Sequence, residues 1–125
     1  MKALVISGIA CCLSFSAFAQ NEGPVLVLMD ELKSEMSPKW EAHVRWREGG
    51  MLLATITPWP YQEAFELWYD QPKLTERLKA LCPKSDDRIW AMLGPDQDIV
   101  LEPTVGGKSG VEARLSCRKA EEAVR

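Results

Sequence analysis

The chain has 125 residues, with 15 basic and 18 acidic side chains and a net charge of −3. A chain of that length makes one domain. Its mild acidity excludes nucleic acid or an anionic membrane surface as the main partner, because both are bound through a basic footprint.

Residues 1–19 have the three parts of a secretory leader. Lys2 supplies the charge, Ala3 to Phe15 an uncharged apolar run, and Ala17-Phe18-Ala19 the small residues before a cut. The run is shorter than the roughly 20 apolar residues that span a bilayer. We therefore expect cleavage after Ala19 and a single exported globular domain over 20–125. The leader has a bacterial form, so the expected compartment is the periplasm or the exterior. Lipidation at Cys11 or Cys12 fits less well, because Gly8 stands where such signals carry a branched apolar residue.

Cleavage removes Cys11 and Cys12 and leaves Cys82 and Cys117, an even number in an oxidising compartment. A Cys82–Cys117 disulfide is the expected outcome. Closing a loop of that length stabilises by roughly 3–4 kcal/mol, a large part of a typical 5–15 kcal/mol.

In chain order, residues 24–37 place Val25, Leu28, Met29, Leu32 and Met36 on one helical face, with Pro24 in the first turn and Pro38 as a stop. Residues 40–57 read as a hairpin. Val44 and Trp46 alternate with His43, Arg45 and Arg47, Glu48-Gly49-Gly50 turns the chain, and Leu52, Ala54 and Ile56 return on one face. Pro58-Trp59-Pro60-Tyr61 is a rigid corner. A helix follows from about Pro60 to Tyr69, in which Tyr61, Ala64, Phe65 and Trp68 recur at i, i+3, i+4 and i+7 as the apolar face. The next helix begins near Pro72, buries Leu74, Leu78 and Leu81, and ends at Cys82-Pro83.

The last third reads as strands. Ile89, Ala91 and Leu93 alternate with Trp90 and Met92, and a turn follows over 94–98. Ile99-Val100-Leu101 is a strand ended by Pro103. After a glycine-rich turn over 106–110, Val111, Ala113, Leu115 and Cys117 alternate inward, and residues from about 119 fray. The expected fold is α+β in the order α-ββ-αα-βββ. It has an antiparallel sheet of four or five strands, about three helices on one face, and one disulfide.

No catalytic constellation is visible. His43 is the lone histidine and lies on the polar side of a predicted strand. Two cysteines and one histidine do not complete a zinc site, and no Cys-x-x-Cys is present. Asp96-x-Asp98 is too short for a calcium loop, which runs over 12 residues with a distal glutamate. Gly106-Gly107-Lys108-Ser109 resembles the tail of a phosphate-binding loop, but Glu102 stands where the first glycine is required and a strand follows where a helix should. A hairpin turn explains it better. No cofactor or metal is expected.

Binding is the better-supported class. Five tryptophans are many for this length. Trp46, Trp68 and Trp90 fit semi-core positions, whereas Trp59 sits on the proline corner beside Tyr61. His43, Arg45 and Arg47 make a basic strip. We expect Trp59, Tyr61, His43, Arg45 and Arg47 to contact a partner, namely another exported or envelope protein. An inhibitor, an immunity protein or an accessory subunit would have this profile. The alternative is a small hydrolase acting on envelope material through two carboxylates distant in sequence.

Overall fold

A computed structural model describes residues 21–124. The leader and its cut after Ala19 lie outside the described residues. Helix α1 spans Glu22–Glu35. It starts earlier than the sequence suggests because Asn21 caps it, accepting a hydrogen bond from the Gly23 N–H at 3.0 Å. Leu28, Leu32 and Met36 of the expected face are buried, with Val25 and Met29 packed partly against them.

The hairpin forms as expected from β1 (Glu41–Arg47) and β2 (Met51–Thr57), with Val44 opposite Ala54 and Trp46 opposite Leu52. Gly49 and Gly50 both take positive φ, which a side chain would resist. Helix α2 covers Tyr61–Trp68 and α3 covers Gln71–Leu81. Asp70 caps α3 through the Lys73 N–H. Leu74, Leu78 and Leu81 are buried as predicted. Each contributes about 1.5–3 kcal/mol by leaving water.

Residues 89–93 are not a strand. They belong to a short helix, α4 (Arg88–Met92), which Asp87 starts by accepting from the Ile89 N–H at 3.0 Å. A short apolar run suits either element, and the aspartate cap decides it. Ile89 and Leu93 enter the core, and the Trp90 indole donates to the Pro83 carbonyl at 3.4 Å.

Strand β3 runs Asp98–Val105, through the proline expected to end it. Its outer edge pairs with β5 (Leu115–Ser116) at Val100 and Leu101, and with β4 (Lys108–Ser109) at Thr104 and Val105. Pro103 falls between those two pairings, where no outer N–H is required.

The sheet is mixed rather than antiparallel. Its path is β1-β2-β3-β4 with β5 also on β3, and β2 and β3 are parallel, Leu53 beside Val100. Parallel strands require a long crossover, and α2, α3 and α4 are that crossover. The expected final strand is replaced by three pieces: a 3-10 turn over Val111–Ala113, β5, and helix α5 over Cys117–Val124. Asp98 takes the helix start from the strand by accepting from the Arg118 N–H at 3.1 Å and from the Ser116 hydroxyl. Arg118 then donates to the Gln97 and Gly94 carbonyls and lies over the Trp90 ring. The terminal segment is therefore helical to Val124 instead of frayed from 119.

The core joins Val44, Leu52, Ala54, Ile56, Ile99 and Leu101 of the sheet to Leu28, Leu32, Leu67, Leu74, Leu78 and Ile89 of the helices. Cys117 is buried within it and bonds to Cys82, with Cα atoms 5.4 Å apart. The expected disulfide is thus present. It ties the end of α3 to the start of α5. No helix among the described residues is long and apolar enough to cross a membrane.

Candidate functional site

Helix α2 buries Ala64 and Leu67. At 100° per residue that inward arc lies about a quarter-turn away from the one expected from Tyr61, Phe65 and Trp68. The turn leaves Tyr61, Phe65 and Tyr69 outside, at i, i+4 and i+8 on one stripe. Tyr61 is 47% exposed, Phe65 38% and Tyr69 81%, and Trp59, 51% exposed, extends the line beyond the helix start.

The four rings touch in sequence. Trp59 and Tyr61 have centroids 6.4 Å apart with planes tilted by 46°. Tyr61 meets Phe65 edge-on at 4.5 Å and 77°. Phe65 and Tyr69 are 6.3 Å apart and nearly parallel. Edge-to-face contacts of this kind stabilise a pair by about 0.5–1.5 kcal/mol beyond burial, so the stripe is held in shape by its own rings.

The β3–β4 hairpin forms the facing wall. Gly106 and Gly107 turn it with φ of 60° and 77°, which bears out the hairpin reading of the glycine-rich segment. Two of its glycines also let the backbone approach aromatic rings. A Cβ on Gly106 would stand 2.8 Å from the Tyr61 hydroxyl, and one on Gly110 2.5 Å from the Pro103 carbonyl and 3.1 Å from the Trp68 ring.

Between helix and hairpin lie two hollows. One of 150 Å³ is lined by Tyr61, Phe65, Tyr69, Val105 and Lys108. The other, of 510 Å³, is lined by Gln71, Ser109, Val111, Glu112 and Ala113. Trp68 lines both, so the two hollows are neighbours in one grooved region. Gln62 and Glu66, both exposed, fall beside the ring stripe on the helical wheel. Asp70 is exposed at the end of α2, and Glu63 pairs with Arg77 at 3.6 Å.

The structure places Trp59 and Tyr61 in this ring line. His43, Arg45 and Arg47 are exposed together along β1, an edge strand, opposite Thr55, Leu53 and Met51. His43 lines a separate hollow of 320 Å³ with Lys33, Trp40, Glu41, Thr55 and Thr57, which shares no residue with the groove. The five predicted contact residues therefore divide between two surfaces. Phe65, Trp68, Tyr69, Lys108 and Gly110 were not anticipated as site residues. The i, i+4, i+8 spacing of Tyr61, Phe65 and Tyr69 was the available signal.

One carboxyl pair does come together. Glu31 of α1 lies against Asp87, and its pKa is pushed up to about 7 by loss of water, then by a hydrogen bond to Asp87 and that neighbour's charge. Direct contact is not the spacing of a glycosidase pair, whose carboxyls stand about 5 Å or more apart around the bond they cleave. Asp87 is also engaged in capping α4. Among the described residues no cluster of three or more His, Cys, Asp or Glu side chains could hold a metal ion. Comparison with protein-family models, with curated proteins and with solved structures gives no match.

Proposed function

We propose that this protein is a small exported binding module without catalysis, and that it engages its partner through the groove between α2 and the β3–β4 hairpin. The observation that carries the reading is the line of four exposed, mutually packed rings on a disulfide-bonded scaffold. Taking about 150–250 Å² per ring, the exposed fractions leave roughly 300–550 Å² of aromatic surface in water. At about 25 cal/mol per Å², covering it releases on the order of 10 kcal/mol before ordering costs. Contiguous apolar patches of that size on monomers are commonly functional. The disulfide and the leader-like residues 1–19 support an oxidising, extracytoplasmic setting.

The test compares three immobilised proteins in an envelope extract: the wild type, Phe65→Ser/Tyr69→Ser, and Arg45→Ala/Arg47→Ala. The ring variant should stay folded with a modestly lower thermal midpoint, because it loses the Tyr61–Phe65 and Phe65–Tyr69 ring contacts, and it should lose the species that the other two retain. Loss from the arginine variant alone would move the binding surface to β1 and sink the groove reading.

A further inference from the structure

We infer that β1 is the pairing edge of a homodimer, in which β1 of a second copy adds antiparallel and continues the sheet across a two-fold axis at Val44. The two sides of the sheet differ. Beyond β3 the outermost pieces, β4 and β5, have two residues each, which is too short to template another chain. On the other side β1 presents seven residues, Glu41–Arg47, matched one to one with β2. No strand among the described residues lies on its outer side. It contains neither proline nor lysine, two common blockers of an edge. Its charges are the remaining obstacle, and their placement removes it.

Pairing about Val44 sets each residue against a defined one. Glu41 meets Arg47 of the second copy, Ala42 meets Trp46, His43 meets Arg45, and Val44 meets Val44. Side-chain alternation keeps like faces together only if the register moves in steps that set odd residues opposite odd ones. Moving the axis to Arg45 puts two arginines directly opposite. Moving it to His43 shortens the ladder and sets Lys39 against Arg47. The Val44 register uses all seven residues and makes two opposite-charge pairs, which favour cross-strand association. Within one chain these charges have no such use. Glu41 stands opposite Thr57 and Arg47 opposite Met51, and neither enters an ion pair among the described residues.

The neighbouring helix adds apolar surface. Helix α1 runs along β1 in the opposite direction. At one end the Trp46 indole donates to the Asn21 carbonyl at 2.9 Å, and at the other Lys33 and Met36 line a hollow with Ala42 and His43. Leu26 is 67% exposed. It lies seven residues before Lys33, hence on the same helical stripe, and serves neither the core nor the aromatic groove. Ala42 and Trp46 are partly buried beneath the same helix. A second copy on the β1 edge would cover this side of α1. The contact uses the same patch twice and closes on itself, so it gives a dimer rather than a fibre.

The experiment measures the mass of the purified exported protein by sedimentation equilibrium from about 1 μM to about 1 mM. Wild type should rise toward twice the monomer mass. Arg47→Glu alone, and Glu41→Arg alone, should each weaken association by about tenfold or more, because both set like charges opposite each other twice. An equimolar mixture of the two variants should associate again, since each supplies the charges the other lacks. Circular dichroism should show all of them folded. Phe65→Ser/Tyr69→Ser should leave the mass unchanged, which separates this edge from the groove. Wild type that stays monomeric throughout overturns the proposal. So does a dimer indifferent to both charge changes, or one lost with the ring variant, which would move the contact to the groove. Two monomeric variants whose mixture remains monomeric overturn the register about Val44.

Discussion

Opening the Cys82–Cys117 bridge isolates one covalent constraint. The bond joins residues 35 apart in sequence. On the chain-entropy model a loop of about 35 residues costs the unfolded state roughly 13 cal/mol/K, or about 4 kcal/mol at 25 °C. Cys117 is buried in the core while Cys82 is only half-buried, so Cys82→Ser/Cys117→Ala removes the bond without burying a new hydroxyl. Urea unfolding followed by circular dichroism measures the loss. With a slope of roughly 1–2 kcal/mol/M for a domain this size, the midpoint should fall by roughly 2–4 M. The helix α5, attached through this bond and through Asp98 and Arg118, should lose amide protection first. A stability change under about 1 kcal/mol would refute the chain-entropy account here. It would mean that the Asp98 and Arg118 contacts alone hold the C-terminal segment.

Arg114→Ala should destabilise by about 2–3 kcal/mol in the same unfolding assay, because it strands the buried Glu102 carboxylate that now accepts from Arg114 at 2.6 Å. Adding Glu102→Gln should recover part of that loss, and no recovery would show that packing by Arg114 rather than its charge matters. The Glu31 carboxyl predicts a pH dependence. Its folded pKa is raised from the ordinary 4.5 to about 7, so the native state holds a proton that the unfolded chain releases. Its contribution is complete below about pH 4.5 and is lost as pH rises through about 7. Glu31→Gln should therefore flatten the stability profile across that window relative to wild type, as read by thermal midpoints at a series of pH values. Parallel profiles for the two proteins would refute it.

How far the sequence could be read depended on the kind of signal each segment carried. Gly49-Gly50 and the alternation on either side predict the first hairpin. Pro72, the Leu74-Leu78-Leu81 stripe and Cys82-Pro83 bounded α3 at both ends. These are local rules, satisfied within one element. Ile89 to Leu93 failed because a five-residue apolar run has no period of its own, and the Asp87 cap outweighed its alternation. Val111 to Cys117 alternates well, yet only Leu115 and Ser116 find a partner on β3. Pairing needs a neighbour, and the hairpin β4 and the Asp98 cap claim the residues on either side.

The candidate site shows the same division. Composition and spacing specified an aromatic helix after a proline corner, two glycine turns, and one cysteine pair able to close a bond. They also put His43, Arg45 and Arg47 on a polar face, which β1 exposes. Tertiary structure alone decided which arc of α2 turned inward. Ala64 of the expected face is buried, but its companion inside is Leu67 rather than the aromatics, and that rotation leaves Tyr61, Phe65 and Tyr69 outside. It also decided that β2 and β3 run parallel, since strand direction depends on where the crossover helices return the chain. That return brings the glycines of the β3–β4 hairpin against Tyr61 and Trp68. Periodicity reports that a helix has an apolar face, whereas which face the core accepts depends on the shape of everything else packed there.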